Sequence, residues 1–453
     1  MIYLIASVAA IAGFLFGFDE GVIAGILGVL KAHFHLSKTD IGILASALPL
    51  GALFASLILG SYISTKLTYY VGRRTAILAA AVLFVFSALA AALAPNYWLL
   101  VTARVVTGLA IGLAGVMTPL YIAEMMPARV RGRLVSAYQL AITIGIVFGY
   151  IVNYLFVYGV NWRWMFASGA IPGLVLFVGM WFLPESHRWL LLNNKHDKAA
   201  EVLDKIHTSK DVEHDIHEIE ETIHHEENLV RWREILAPMV RPALLVAMML
   251  FVLQQMSGIN VVIYYAPSIF KDVGFSSNAT QILASVGVGA VNMLSTVLAM
   301  WLIEKLGRRK LLYIGFAGTT ITLAIIALGT YTQAQYLDWI AFIATMAYIF
   351  FFAVSLGPIP HIMMSEVFPI HLRNTGMGIA SICNWGFNFL VVLTFPDLVR
   401  SIGLSTTFII YAVACVIGLV FTYFYVPETK GVSLEAITEH LLHRKPLRTL
   451  GKG

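Results

Sequence analysis

Apolar runs of about 20 residues recur along the whole of this 453-residue chain, each long enough to cross a hydrocarbon layer of about 30 Å. Such a chain has little choice of fold. In hydrocarbon every backbone N–H and C=O must find its partner inside the protein, and a helix supplies that partner locally. Breaks at charged, Pro and Gly residues divide the runs into spans at 2–30, 40–66, 73–94, 97–124, 134–157 and 163–183. The others lie at 240–270, 278–304, 310–331, 338–364, 374–399 and 404–426. Composition agrees: 59% of residues are hydrophobic and 12% charged, about half the charged share of a soluble domain. The expected fold is an all-α membrane protein of twelve transmembrane helices. The first run begins at Ile2 with no basic segment before it and contains Asp19, so it is expected as a permanent span rather than a cleaved leader. Cys383 and Cys415 both lie in apolar stretches and read as small buried residues.

Lys and Arg orient the bundle. Twenty-four of the 30 fall on the even-to-odd loops and the C-terminal tail, while the opposite face holds only Lys31, Lys38, Arg163, Lys271 and Arg400. The remaining one, Arg104, lies within a span. By the positive-inside rule both termini and the central insert are expected in the cytoplasm. The net charge of +5 then needs no nucleic-acid partner. The insert reads as short amphipathic helices such as 198–206 and 212–225. Its His214, His217, His224 and His225, with Glu218 and Glu221, have metal-ligand types at helical spacing, yet a solvated charged face accounts for them and no metal is assigned.

An internal repeat is visible. Val71-Gly72-Arg73-Arg74 is echoed by Leu306-Gly307-Arg308-Arg309, and Glu124-Met125-Met126-Pro127 with Arg131 by Glu366-Val367-Phe368-Pro369 with Arg373. Pro184-Glu185-Ser186 returns as Pro427-Glu428-Thr429. Each match is six spans from its partner. The expected organisation is two pseudo-symmetric six-helix bundles, 1–183 and 239–427, a cytoplasmic helical linker at 184–238 and a tail at 428–453.

Three groups of residues carry chemistry. Asp19 and Arg104 are ionisable side chains deep in spans, where an unpartnered charge costs several kcal/mol. Alternate spans run antiparallel, which puts both in the outer half of the membrane and within reach of each other. Their pairing is either a proton-coupling device or a static staple between the first and fourth spans. Glu20 is expected nearer solvent or a neighbouring helix and is given no role. Secondly, Arg74, Glu124, Arg131, Glu185, Arg309, Glu366, Arg373 and Glu428 gather at cytoplasmic span ends. They form either a salt-bridge latch between the halves, closed while the outer face is open, or topology-setting charge with no dependence on state. Thirdly, the spans contain the amides Gln139, Gln254, Gln255, Asn260, Asn292, Asn384 and Asn388. Amides donate and accept, which suits a neutral polyhydroxy ligand, and they also serve as glue between helices. Tyr264, Tyr265, Trp385 and Phe351 offer aromatic faces nearby.

Taken in order, these residues resemble the sugar porter family of the major facilitator superfamily, which includes facilitative glucose carriers and bacterial sugar–proton symporters. The resemblance covers nearly the whole chain. It rests on Gly13-x3-Gly17-Phe18-Asp19-x-Gly21-Val22-Ile23-x-Gly25, Arg104-x3-Gly108 and Pro119-x-Tyr121-Ile122-Ala123-Glu124-x2-Pro127-x3-Arg131-Gly132. It rests equally on Pro184-Glu185-Ser186-x-Arg188-Trp189-Leu190, Gln254-Gln255-x-Ser257-Gly258-Ile259-Asn260-x3-Tyr264-Tyr265 and Pro427-Glu428-Thr429-Lys430-Gly431. The family implies alternating access to a central site for a hexose, pentose or inositol. It also implies substrate contacts at Gln139, Gln254, Gln255, Asn260, Asn292, Asn384 and Trp385, and an outer gate at Tyr264 and Tyr265. Asp19 stands where proton-coupled members carry a carboxylate, so symport is expected ahead of uniport, and either ahead of a non-transporting sensor. The expected partners are a sugar or polyol, a proton and the lipid bilayer. No cofactor, enzymatic role or nucleic acid is expected, and the protein is expected to act as a monomer in a bacterial inner membrane.

Three positions depart from the family's pattern. His361 follows Gly357-Pro358-Ile359-Pro360 where many members have Trp, and is either a substrate contact or a wall residue. Ile146 replaces the amide of some pentose symporters, and Tyr69 replaces an acid in the loop between the second and third spans.

Overall fold

The apolar runs become helices, and where a helix cannot continue the sequence shows why. The first five spans are α1 (Ile2–Phe34), α2 (Lys38–Leu59), α3 (Arg73–Leu93), α4 (Tyr97–Met125) and α5 (Ala128–Phe156). The sixth is α6 (Trp162–Ser168) and α7 (Ala170–Phe182), meeting at Gly169. Two insert helices follow, α8 (His187–Leu192) and α9 (His196–Ile206). The structure, a computed structural model, describes residues 1–59, 71–156, 161–206, 216, 235–368, 372–432 and 447–450, without the side chains of 59, 128, 129, 131–133, 374 and 449. Tyr69, the His214, His217, Glu218, Glu221, His224 and His225 cluster, and the side chain of Arg131 lie outside these described residues.

The second half repeats the plan with more breaks than expected. Its first span is α10 (Arg241–Met256) and α11 (Ile259–Asp272), separated where Gly258 takes φ +85°. A side chain there would be strained and would meet the ring of Tyr411 at 2.7 Å. Next come α12 (Asn278–Leu306) and α13 (Arg308–Thr332). The tenth span is α14 (Leu337–Phe351), a π-helical turn at Phe352–Leu356, and α15 (Ile359–Glu366). Last is α16 (Arg373–Phe424), 52 residues by hydrogen bonding. Straight, it would be about 78 Å long, over twice the hydrocarbon thickness. Gly403 at φ +81° and ψ 163° turns it back and makes it the eleventh and twelfth spans. No strand occurs among the described residues. In the insert, α9 buries Ala199, Val202, Leu203 and Ile206, the one-sided spacing expected of its sequence.

Close helix contacts hold each half together. A Cβ on Gly17 of α1 would sit 1.8 Å from the carbonyl oxygen of Ile142 on α5, and one on Gly108 of α4 would sit 2.1 Å from that of Leu48 on α2. Small residues let backbones approach where there is no hydrophobic drive between helices. Two lateral seams join the halves. The second span meets the eleventh, with the Ser56 and Ser381 hydroxyls 3.2 Å apart and Gly42 against the Leu393 carbonyl. The fifth meets the eighth, with Gly289 against Val147 and Tyr150. A shift of six spans turns one seam into the other, which is the symmetry the repeat implied. Outward, large apolar side chains such as Leu93 and Phe182 are 76% and 81% exposed, a surface suited to lipid.

Gly17→Val is expected to lower the thermal midpoint of the detergent-purified protein by the equivalent of about 1–3 kcal/mol or more, the cost of overpacking. Gly28→Ala, where a Cβ meets nothing within 4 Å, is expected to leave it unchanged or slightly higher.

Candidate functional site

Arg104 is seven residues, about 10 Å, into α4 and is completely buried. Its Nη1 donates to both carboxylate oxygens of Asp19 on α1, 2.5 Å to Oδ1. The cost of a lone charge at this depth is met by this contact. Arg104 Nε and Nη2 have no hydrogen-bond partner. Beside the pair lies a cavity of about 10 Å³, walled by Phe18, Phe84, Thr107 and Phe166, enough for about one water. Glu20 takes the second of the two places the sequence left open. It faces a neighbouring helix but not solvent: it is 2% exposed and lies against Tyr264 of the seventh span.

The amides assemble around the two broken spans. Pro360 has no N–H, so the carbonyl of Leu356 loses its helical partner. Gln254 Nε2 donates to that oxygen at 2.8 Å and to Gly357 O at 3.2 Å. The donors of Gln254 therefore hold the tenth span together, while its Oε1 has no partner. Asn260 Nδ2 donates to Gln255 Oε1 and Gln255 Nε2 donates to Asn384 Oδ1, each at 2.6 Å. This chain of three amides links α11, α10 and α16 and leaves the Asn384 NH2 outside its own bonds. Asn388, one turn further along α16, is 2% exposed with its Oδ1 unpartnered.

His361 sits on α15 at the edge of this group. Its Nδ1 lies 3.2 Å from Gly357 O and its ring stands edge-on to Phe251 at 4.9 Å. It is exposed although it lies within a span beside a buried ring, as a residue on an open internal wall would be. Trp385 of α16 meets Phe16 of α1 at 5.4 Å, an aromatic contact between the halves. Gln139 on α5 is half-buried and Asn292 on the adjoining α12 is buried. Phe351 does not join the group. Its ring fills the space over Gly318 on the ninth span.

The two ends of this chamber differ. At the end away from the termini every residue from Ser257 to Pro267 is buried. There Tyr150 of the fifth span donates to Ile263 O of the seventh at 2.7 Å, and Thr39 donates to Asp397 at 3.1 Å. Both bonds cross between halves. Tyr265 donates to Val392 O at 2.9 Å within the second half, and Tyr264 is completely buried beside Glu20 of α1. At the end bearing the termini, Leu134 to Ala141 of α5 are all half-buried. A helix packed on one side buries a periodic stripe, so partial exposure at eight consecutive positions means open space on more than one face. The chamber is sealed at one end and open at the end rich in Lys and Arg.

The charged clusters at the open end bond within halves. Arg73, rather than Arg74, reaches Glu124 at 3.0 Å, and Arg308, rather than Arg309, reaches Glu366 at 2.8 Å. Successive helix residues point about 100° apart, so the second Arg of each pair turns elsewhere. Arg74 donates to the carbonyls of Met180 and Trp181, and Arg309 to that of Tyr423. Glu185 accepts from the backbone N–H of Arg74 and Glu428 from those of Arg308 and Arg309, each capping a helix start. Gly72 and Gly307 make room: a Cβ would meet these carboxylates at 2.0 and 2.6 Å. With this end open, the named bonds staple spans inside one half and do not bridge the two halves. Arg373 starts α16 and is half-buried. Sequence reasoning missed Arg73 and Arg308, although both repeats contained them, and missed Tyr150, a lone tyrosine with no distinguishing neighbours.

Comparison with known proteins follows the same lines. The family model described as "Sugar (and other) transporter" matches residues 5–441. The chain is 42% identical to the putative metabolite transport protein YwtG of Bacillus subtilis over 95% of its own length and 93% of the relative's. It is 35% identical to the arabinose-proton symporter of Escherichia coli K12, covering 98% and 94%. The inward-open conformation of the xylose transporter XylE from E. coli superposes with a TM-score of 0.83 at 31% identity, covering 97% of this chain and 99% of that one.

Gln254→Leu strands the Leu356 carbonyl, and is expected to cost about 1–3 kcal/mol of stability, read as a lower thermal midpoint in detergent.

Proposed function

This chain belongs to the sugar (and other) transporter family, and from that premise and its chamber we propose that it imports a monosaccharide or polyol by alternating access, together with protons. The observation that carries the substrate class is the chain of amides, Asn260, Gln255 and Asn384, in a chamber open at one end and sealed at the other. Neutral donors and acceptors in alternation match hydroxyl groups, and a charged solute would need a counter-charge in the wall. Gln139, Gln254 through its free Oε1, and Asn292 extend that lining, and Trp385 supplies an apolar face. Tyr264 and Tyr265 act as the outer gate on the seventh span.

The Lys- and Arg-rich end is cytoplasmic in this reading, as are both termini, so the conformation described above is inward-open. The halves, 1–183 and 239–427, rock about the two lateral seams while the linker 184–238 stays at the inner face. Arg131 and Arg373 belong to a latch with Glu124, Glu185, Glu366 and Glu428, closed when the inner face closes. Such a carrier works as a monomer in a bacterial inner membrane.

Proton coupling falls to Asp19. Arg104 stays charged and is bonded to the Asp19 carboxylate, so a movement that changes the separation of α1 and α4 links proton binding at Asp19 to which face is open. A proton and a sugar that both favour one conformation are then linked through it. The arabinose-proton symporter supports this reading as a relative across nearly its whole length.

Radiolabelled D-xylose, L-arabinose, D-glucose, D-galactose and myo-inositol, offered to proteoliposomes with and without an inward proton gradient, test the whole. Accumulation of at least one, dependent on the gradient, is expected; transport of none contradicts the reading. Asp19→Asn is expected to abolish accumulation while sugar still exchanges across the membrane, and a variant that concentrates sugar like the parent excludes Asp19 as the coupling group. His361→Trp is expected to reorder the panel by competition; an unchanged order places His361 outside the site.

A further inference from the structure

A second carboxylate lies beside Asp19, and neither the coupling argument nor the sugar site uses it. Glu20 is 2% exposed, and its Oε1 has no hydrogen-bond partner. Facing it across the join between the first and seventh spans is Tyr264, completely buried, with its hydroxyl beside the Glu20 carboxylate. The other titratable and charged groups around Glu20 are Asp19 on its own helix, Arg104 on α4 and Tyr150 on α5. Arg104, the one cation in that set, is held by both oxygens of Asp19.

The position is peculiar to the state. Glu20 is walled in because the outer ends of the halves have met: Tyr150 is bonded to Ile263 and the seventh span is buried from Ser257 to Pro267. An ionised carboxylate sealed there would sit beside a second carboxylate, with the nearby cation already bonded to Asp19 and the neutral Tyr264 hydroxyl facing it. That arrangement costs far more than burying a neutral acid. Opening the outer end parts Glu20 from Tyr264 and admits water, which removes the cost.

We propose that Glu20 is a second proton-binding site, one that must take a proton before the outer gate at Tyr264 can close and that returns it to the outside when the gate reopens. It differs from Asp19 in purpose. The proton on Asp19 crosses with the sugar, whereas the proton on Glu20 goes back to the side it came from, and sets how readily the outward-open protein closes at a given external pH. The sign follows from linkage: the closed state binds the proton more tightly, so raising pH disfavours closure. Once Glu20 is mostly ionised, closure falls by up to about tenfold per pH unit, the mass-action limit for one proton.

This inference rests on the symporter reading, and the test separates the two. Sugar exchange across proteoliposome membranes is measured at equal pH on both sides, from about pH 6 to about pH 9, with the fastest-moving sugar of the panel above. The Asp19→Asn protein, which lacks the transported proton site, is expected to lose exchange as pH rises. Asp19→Asn with Glu20→Gln is expected to give a flat profile. Asp19→Asn with Glu20→Asp, which restores an acid on a shorter arm, is expected to regain the alkaline fall at a shifted midpoint. A flat profile for Asp19→Asn alone overturns the proposal, as does a Glu20→Gln double variant that falls as steeply. Should that double variant be inactive, the Glu20→Asp double variant decides, and an unmoved midpoint counts against Glu20. Protein that exchanges none of the panel sugars overturns the symporter reading instead.

Discussion

Arg104 and Asp19 meet inside a bundle whose exterior is built for hydrocarbon, and the placement of the first half follows from keeping them together. An arginine at this depth without a partner costs at least about 2.5–3.5 kcal/mol, so α1 has to stay within a side chain's length of α4. The glycines of α1 meet that condition from the other side. They let the backbone of α1 lie directly against α5, which fixes the rotation that turns Asp19 toward Arg104. One step further along the same helix, about 100° around, Glu20 is turned to the seventh span instead. Two adjacent acids thus serve two different interfaces, one within a half and one between halves.

The second half shows how a chamber is made from helices that cannot run straight. Gly258 breaks the seventh span and Pro358 and Pro360 break the tenth. A broken helix in hydrocarbon exposes carbonyl groups that need donors, and this is tolerated only where protein or a wet cavity supplies them. Gln254 and Tyr348 supply two, to Leu356 O and Ser257 O. The irregular backbone lies where the amides collect, so the breaks help to shape the wall of the chamber. The stapled ends, with Glu185 and Glu428 each capping the start of a third span, keep either half rigid while the seams between them flex.

Hydropathy made the twelve spans legible, because length and apolarity are physical demands of the bilayer and leave a direct trace in sequence. The Asp19–Arg104 pair was legible for the same reason: each is anomalous where it stands, and only the other resolves it. The fate of Glu20 was not, since one residue of helical rotation decides between solvent and a sealed interface. Nor was the exchange of roles between Arg73 and Arg74, which depends on which way two neighbouring side chains point. The structural duty of the Gln254 amide nitrogen was hidden, because nothing local reveals that a proline about a hundred residues on leaves a carbonyl for it to satisfy. Tyr150 gave no signal, as a single tyrosine in a span is unremarkable until the helix opposite it is known.

Coupling through Asp19 makes the movement of sugar and the movement of protons one event in the proposed cycle. A pH electrode in a weakly buffered suspension of de-energised proteoliposomes tests it most directly. On adding a transported sugar, the external medium is predicted to turn alkaline as protons enter with it. Sugar entry with no change in external pH would contradict the account.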